Sequence, residues 1–235
     1  RDFGRLKKTG LGHGQGAEPV LSEVEGTGKT PAKPIACPGR KVVKRKLEQV
    51  HFCIGVPAVP QPHPDRHKLY LLNTILGGGM SSRLFQEVRE KQGLAYEISS
   101  SVKHYDDTGA LVISAGIDNK KLSRAVEVIV SELSKLKSKN AGKAELLRAK
   151  EFYKGQLLMY FEETMNHMIW LGEKFIRDDK EFQVKDVLAR VDGLTVEDIK
   201  AAAREVFRPD KTNIAVIGPT ASENKSRIGR ILSGI

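Results

Sequence analysis

Cysteine is scarce in this sequence. The 235 residues include only two cysteines, Cys37 and Cys53, which are too few for a disulfide framework. A reducing compartment is the simpler expectation, because disulfides persist mainly in oxidising surroundings. The chain also lacks an apolar run of about 18 residues, as a membrane span requires, and it has no signal-peptide stretch near its start. We therefore expect a protein of the cytoplasm, or of another soluble compartment, with no membrane partner.

The sequence also lacks a methionine at position 1, and we expect it to be a fragment or a processed piece of a longer protein. Residues 1–39 are rich in Gly, Pro, Lys and Glu and poor in large apolar side chains. Such a composition cannot bury enough surface to offset the entropy of ordering the chain. We predict a low-complexity, disordered linker or extension over 1–39, and one folded domain with its own core over 40–235.

The excess of positive charge is concentrated at the start of the chain. The whole sequence has 39 Lys and Arg against 29 Asp and Glu, a net charge of +10. Residues 1–46 hold 11 basic and 4 acidic side chains (+7), which leaves 28 basic and 25 acidic side chains (+3) for the rest. No basic groove interleaved with aromatic residues is visible, so we expect no nucleic-acid partner. The alternative, binding through the basic segment, predicts a steep salt dependence that disappears when 1–46 are removed.

Several catalytic motifs are missing or incomplete. There is no G-x-S-x-G elbow for a serine nucleophile. His63 and His67 have the i and i+4 spacing of a zinc-protease helix, but Arg66 stands where the general-base glutamate belongs. We interpret the two histidines as solvated side chains at a helix start, and Cys53 as a core residue of an apolar strand.

Hydrophobic spacing predicts an α+β fold. The predicted order is a strand, two helices, a hairpin, several helices and a last strand, which favours an antiparallel-rich mixed sheet with helices packed on one face. Three of the predicted elements matter below. They are one long strand over 42–59, an α-helix over 82–92, and a helical region over 143–176 with weak points at Gly155 and Gly172.

A glycine-rich segment connects two of these helices. Three consecutive glycines, Gly77, Gly78 and Gly79, follow the first helix, and Gly93 closes the second. An alternating strand begins directly afterwards, at Ala95. We expect a flexible loop at the three glycines, flanked by rigid elements.

Arg89 and Tyr96 lie on either side of the Gly93 corner, and residue chemistry leaves two interpretations open. Arg89 could pair with Glu87 or Glu90 while Tyr96 packs at a sheet edge. Alternatively, the guanidinium and the phenol could together hold a peptide carbonyl or a developing oxyanion beside the glycine loop.

At these residues the sequence resembles a known family. Residues 72–101, LNTILGGGMSSRLFQEVREKQGLAYEISSS, strongly resemble the second, non-zinc half of the pitrilysin/insulinase-like zinc metallopeptidases, the superfamily that includes mitochondrial processing peptidase. The resemblance runs over about 40–219 and includes the closing segment TVEDIKAAAREVFRPDKTNIAVIGP. It implies a C-terminal half-domain of the α/β roll type over 40–235.

The resemblance also implies roles for individual residues. In that family one half binds zinc on an H-x-x-E-H helix, and the other supplies an Arg and a Tyr, spaced R-x6-Y, near the scissile bond. Arg89 and Tyr96 match that spacing and are the implied catalytic residues. Gly77, Gly78 and Gly79 match a glycine loop linked to substrate handling. H-x-x-E-H is absent here, so zinc is implied in a partner half and none in this chain.

The implied function is the substrate-binding half of a zinc metalloendopeptidase, inactive alone in peptide-bond hydrolysis. Its implied partners are a zinc-bearing homologous half, fused upstream or separate, and an unfolded peptide that adds to the sheet as an edge strand. A non-catalytic scaffold or peptide-binding subunit of the same fold is the alternative. Mixing the chain with a zinc-bearing half and looking for peptide cleavage distinguishes the two.

Overall fold

One mixed sheet organises the molecule. The computed structural model describes residues 39–176, 183–219 and 223–235. Within these ranges five strands form the sheet: β1 (Arg40–Lys44), β2 (Val50–Ala58), β3 (Ala95–His104), β4 (Gly109–Ile117) and β5 (Asn213–Gly218), in the spatial order β1-β5-β2-β4-β3. β1 and β5 are parallel, and the other three neighbouring pairs are antiparallel. The predicted antiparallel-rich α+β fold is confirmed.

Helices cover one face of this sheet. They are α1 (Arg66–Gly77), α2 (Leu122–Ser138), α3 (Lys143–Glu162), α4 (Thr164–Ile176), α5 (Val184–Gly193), α6 (Val196–Val206) and α7 (Glu223–Leu232), with a π-helical turn over Phe85–Glu90 and 3₁₀ turns over Asn119–Lys121 and Pro209–Lys211. The sheet is contacted by α1 at β3, by α6 at β2 and by α7 at β1, while α2 packs on α6 and α7. None of the described helices is long and apolar enough to cross a bilayer.

The two faces of the sheet differ along β2. Val50, Phe52, Ile54 and Val56 are buried under the helices, and the residues that alternate with them point the other way. Cys53 is one of these and is exposed, with its Sγ 3.4 Å from the Ser114 hydroxyl. The prediction that Cys53 is a core residue is therefore wrong, because the alternation of β2 turns it toward the face without helices.

The long strand predicted over 42–59 is instead two strands. β1 pairs with one side of β5, where Arg40 lies opposite Ile214, and β2 pairs with the other side, where His51 lies opposite Ile217. One continuous strand cannot flank β5 on both sides. The chain therefore leaves the sheet over 45–49, which are polar except for Leu47, and returns.

The helical region over 143–176 is broken at Glu163, not at the predicted weak points. Glu163 has an extended backbone, with φ −80° and ψ 117°. The Asn166 side-chain amide donates to the Tyr160 carbonyl at 3.1 Å and to the Glu163 carboxylate at 2.9 Å. These hydrogen bonds satisfy a carbonyl at the C-terminus of α3 and connect it to the first turn of α4. Gly155 and Gly172 both lie inside helices.

The extension predicted over 1–39 falls outside the described residues except for Gly39. The Gly39 N–H donates to the Asn213 side-chain oxygen at 2.7 Å. The boundary between an extension and a half-domain over 40–235 stays a prediction.

Candidate functional site

Arg89 lies on a π-helical turn, where an α-helix was predicted. The Lys91 N–H donates to the Gln86 carbonyl, five residues back, at 2.9 Å. Gly93 then adopts φ 55°, and its N–H donates to the Arg89 carbonyl at 3.0 Å. A π turn holds one residue more than an α turn, and such turns are frequent at functional sites. The helix is therefore wider than its sequence spacing indicates, and Gly93 closes it as predicted.

Tyr96 lies in a β-bulge at the start of β3. Ala95 pairs with Ile117 of β4 and Glu97 pairs with Gly116, so Tyr96 has no opposite residue. The extra residue breaks the alternation of the strand, and both Tyr96 and Glu97 are exposed. Bulges commonly redirect a side chain beside an active site. Here the bulge leaves the tyrosine 78% exposed.

The bulge and the π turn bring Arg89 and Tyr96 together. The Arg89 guanidinium carbon lies 6.0 Å from the centroid of the Tyr96 ring and 4.7 Å from that of Phe85. At such distances a cation is attracted to the face of an aromatic ring. The Arg89 side chain remains 42% exposed. A guanidinium and a phenol thus share one patch of surface.

Neither neighbouring carboxylate, Glu87 or Glu90, holds Arg89 in a close ion pair. Arg89 Nε lies 3.8 Å from a Glu90 oxygen, and both side chains are largely exposed. Glu87 instead accepts from Lys91 at 2.6 Å. An exposed ion pair contributes little free energy, so the Glu90 contact would yield readily to a bound group.

Arg89 and Tyr96 lie beside β3, which is an edge strand of the described sheet. β3 has β4 on one side and no second strand beside it among the described residues. The outward N–H and C=O groups of an edge strand can bind an extended peptide as an additional strand. Tyr96 and Arg89 lie at the beginning of that edge.

Of the three glycines, Gly77 packs against β3, farther along the strand than Tyr96. Gly77 ends α1 and is buried, and a Cβ there would lie 2.7 Å from the Ser100 backbone nitrogen. Ser100 is four residues from Tyr96, about 13 Å along a strand. Gly78 has φ −80°, so it does not need the left-handed conformation. Glycine at 77 therefore allows close packing of helix on strand.

Gly79 faces α3, next to a small recess. A Cβ on Gly79 would lie 3.5 Å from the Phe152 ring, and the recess is lined by Thr74, Ser81, Arg148 and Phe152 among others. The Gly79 carbonyl accepts from the Ser82 N–H at 3.0 Å and from its hydroxyl at 2.5 Å. The segment after α1 is thus hydrogen-bonded on itself, which the sequence did not indicate.

A half-buried ion pair holds Arg83, which follows Ser82 in the chain. Arg83 donates to both oxygens of Glu145 on α3, at 2.8 and 2.9 Å, and lies 4.0 Å from Glu132 of α2. The hydrogen bonds that Arg83 donates to Glu145 raise the pKa of Arg83. Burial, the largest single effect, opposes ionisation of Glu145, but the hydrogen bonds and charge of Arg83, together with the Gly142 N–H and the Arg148 charge, lower the pKa of that carboxyl overall. Both groups are therefore charged, and they tie the π turn to two helices.

His67 is buried, so the prediction of a solvated side chain is wrong for it. It is 4% exposed and lies beside Tyr70, which contacts His104 edge to face at 4.9 Å and stacks on Tyr153 at 5.6 Å. Burial first, and then the Arg66 charge, lower the pKa of His67 from 6.5 to about 4. Its imidazole is therefore neutral near pH 7.

The described residues offer no metal centre. No group of three or more His, Cys, Asp or Glu side chains converges within 39–176, 183–219 and 223–235. His63 is partly exposed and its Nδ1 accepts from the Asp65 N–H at 3.1 Å, whereas His67 is interior. These side chains do not fit a zinc site.

Comparison with known families gives a match over most of the chain. The model described as the peptidase M16 inactive domain matches residues 7–153. The match begins N-terminal to residue 40, where we placed the start of the family resemblance. It includes Arg83, Arg89 and Tyr96.

Curated relatives are identical to this chain at about one aligned residue in three. An uncharacterized zinc protease of Streptomyces coelicolor is 34% identical over 190 residues, which are 80% of this chain and 41% of the relative. The uncharacterized zinc protease YmxG of Bacillus subtilis is 34% identical over 179 residues, 76% of this chain and 44% of the relative. The chain thus spans less than half of the length of these relatives.

Solved structures share the fold. A peptidase M16 inactive domain from Pseudomonas fluorescens superposes with a TM-score of 0.73 at 24% identity, covering 82% of this chain and 46% of that one. A conserved protein from Enterococcus faecalis gives 0.72 at 21% identity, covering 79% and 43%. Both structures share the architecture described above.

Proposed function

This chain belongs to the family of peptidase M16 inactive domains, and we propose that it serves as the substrate-binding half of a zinc metalloendopeptidase. The observation that carries the proposal is the pair at the edge of the sheet. The Arg89 guanidinium carbon and the Tyr96 ring centroid are 6.0 Å apart, both side chains are exposed, and β3 is unpaired on one side within the described residues.

Each group has a separate part in the proposed binding. The peptide substrate lies along β3 as an added strand, held through backbone hydrogen bonds that do not depend on its sequence. Arg89 and Tyr96 donate hydrogen bonds to the carbonyl that is attacked, and so stabilise the charge that develops on its oxygen. The zinc of the partner half supplies the Lewis acid and the activated water.

The glycine segment completes the proposed substrate site. Gly79 contributes no side chain to the recess beside Phe152 and Arg148. In this proposal a substrate side chain enters the recess while the peptide backbone follows β3. Gly77 supports this arrangement by letting α1 end close to the strand at Ser100, whereas a Cβ at Gly78 would crowd the Thr74 backbone of α1.

The test uses the chain assembled with a zinc-bearing half. We expect Arg89→Ala and Tyr96→Phe each to lower kcat/KM for peptide cleavage by about 10²–10³-fold, the usual loss when one donor to an oxyanion is removed. Tyr105→Phe and Arg208→Ala are matched controls, since these exposed residues lie beyond the other end of β3 and just after α6. Both controls should cleave like the parent.

Circular dichroism and the melting temperature should be the same for all four variants, because the two site residues are exposed. Turnover that is unchanged in either Arg89→Ala or Tyr96→Phe would contradict the role of that residue. Equal losses in the Tyr105 and Arg208 controls would show that the assay does not report on the pair.

A further inference from the structure

An apolar surface lies on α3 and α4, away from the Arg89–Tyr96 pair. We call it the α3–α4 face and define it by six exposed side chains: Leu158, Met159, Met165, Met168, Leu171 and Phe175. Soluble proteins rarely leave so many large apolar residues together in solvent unless the surface binds something.

The burial of α4 is the reverse of that of an ordinary surface helix. Phe175 is 88% exposed, while Lys174 beside it is buried, with its Nζ 5.9 Å from the Trp170 ring. A helix that completes its packing within its own chain buries the apolar stripe and exposes lysine. The apolar side of α4 therefore faces outward, with α3 as its main contact in the chain.

The exposed stripe of α4 has the spacing of a helix-packing surface. Met165, Met168, Gly172 and Phe175 follow one another at intervals of three, four and three residues. This pattern puts them on one side of the helix, as in the seam between two packed helices. The stripe is thus suited to a partner helix.

Two helical glycines fit the same conclusion. A Cβ at Gly155 of α3 or at Gly172 of α4 would meet nothing within 4 Å. Glycine inside a helix costs about 1 kcal/mol relative to alanine. Packing within the described chain does not use the space that these glycines leave, whereas a second chain could use it for close approach.

Methionine is concentrated on this surface. The chain has four methionines, and three of them, Met159, Met165 and Met168, belong to the α3–α4 face. The flexible thioether side chain adapts to irregular apolar partners and is common at protein-binding surfaces.

The length of the relatives indicates what covers the face. The matched region makes up only 41% and 44% of the Streptomyces coelicolor and Bacillus subtilis zinc proteases. More than half of each relative therefore lies outside this chain and is available to meet it.

We propose that the α3–α4 face is the docking surface for the zinc-bearing half, which presents an apolar helical surface to Met165, Met168 and Phe175. The identity of this partner rests on the function proposed above. The docking surface is separate from the peptide edge at β3, so assembly and catalysis can be tested independently.

Binding of the full 235-residue chain to the part of the Bacillus subtilis relative outside the match tests the proposal. We expect Leu158→Lys and Met168→Lys each to raise the dissociation constant by at least about tenfold, since lysine in an apolar interface must be desolvated. Leu47→Lys is the matched control, because Leu47 is exposed to 44% and Leu158 to 48%, and it should bind like the parent.

Stability of the isolated chain is the second measurement. The two lysine variants should melt within about 1 °C of the parent, because surface changes usually alter the unfolding free energy little. A clear fall in melting temperature would mean that the face belongs to the chain's own core and would overturn the proposal.

Gly172→Leu gives an independent variant. It should stabilise α4 in the isolated chain, since leucine is the better helix former, and still weaken binding by filling the stripe. Three results would overturn the docking proposal: no binding by the parent, equal binding by all variants, or a homodimer of the parent that the lysine variants dissociate. Loss of cleavage in Arg89→Ala with normal binding would leave it intact.

Discussion

At the scale of the residue, His67 is an interior side chain within a polar stretch of the chain. It follows Pro62, Pro64 and charged neighbours, yet it is buried on α1 beside Tyr70. Its Nδ1 lacks a hydrogen-bond partner within the described residues. The positive charges that act on it come from Arg66, Arg190 and Lys174, besides His104. All of them, with burial, disfavour a protonated His67.

This environment predicts a loss of stability in mild acid. The pKa of His67 is about 4 in the folded chain against 6.5 ordinarily, so between these values the unfolded chain binds more protons. Stability should therefore fall as the pH drops, by about 2 kcal/mol between pH 7 and pH 5. Urea unfolding at pH 7 and at pH 5 measures this difference in the free energy of unfolding.

His67→Leu should remove most of this pH dependence, and His63→Gln should retain it, because His63 is partly exposed. The pKa of His104 is also lowered, chiefly by burial, so a smaller dependence remains in His67→Leu. An equal pH dependence in the parent and in His67→Leu would show that His67 does not carry the effect.

Individual side-chain directions could be predicted from sequence only where a strand is regular. In β3, alternation counted from Ile98 places Tyr96 on the buried side, but the bulge turns it outward. In β2, the apolar surroundings of Cys53 suggested a core position, although its place in the alternation exposes it. The spacing of Arg89 and Tyr96 indicated a pair, but their proximity depends on a π turn and a bulge that local propensity does not encode.

At the scale of the element, Arg83 links the π turn to α2 and α3. It is bonded through two nitrogens to Glu145 and lies near Glu132, which also accepts from Lys135 at 2.5 Å. Fork-to-fork pairing of a guanidinium and a carboxylate fixes both position and orientation. This ion pair holds the start of the turn that carries Arg89.

Arg83→Met should therefore lower the unfolding free energy by about 1–3 kcal/mol, because it leaves the Glu145 carboxylate half-buried without its partner. The amides of residues 78–82 should also exchange hydrogen faster. The matched control is Arg208→Met, which breaks a two-bonded pair with Asp210 that is exposed on both sides. It should change stability by less than about 1 kcal/mol.

A double variant, Arg83→Met with Glu145→Gln, should recover part of the loss, since both charges are then removed. If Arg83→Met and Arg208→Met had the same small effect, the Arg83 pair would be no more than a surface contact.

Some helix boundaries lie where local sequence signals predict them. Gly93 ends the π turn, and Thr195 caps α6 by accepting from the Asp198 N–H at 3.2 Å. The division of the long strand at 45–49 depends on β5, which is distant in sequence. The break at Glu163 depends on an asparagine three residues later, a weaker signal than the glycines that we had marked.

At the scale of the whole molecule, the order of strands and helices and the family resemblance both predicted the fold, and the fold is confirmed. Long amphipathic helices and an alternating hairpin are local features, so a single sequence reveals them. The outward face of α4 was missed because an apolar stripe looks the same whether it packs within the chain or against a partner.

That the isolated chain binds no zinc stays a prediction, and it concerns the molecule as a whole. The described side chains do not form a three-ligand group, and binding of a metal needs several deprotonated ligands in place. Elemental analysis of the purified chain, after dialysis against zinc and then buffer, should find far less than one zinc per chain. One tightly held zinc per chain would contradict it, and a zinc-loaded relative serves as the positive control.

The unpaired position of Tyr96 has a consequence for how such a site can arise. Ala95 and Glu97 already satisfy the ladder with Ile117 and Gly116, so β3 does not need the residue between them for its pairing. One codon inserted or lost at this point would add or delete the phenol while the scaffold on either side kept its partners. The phenol, and with it its proposed part in catalysis, could thus be gained or lost without rearranging the rest of the domain.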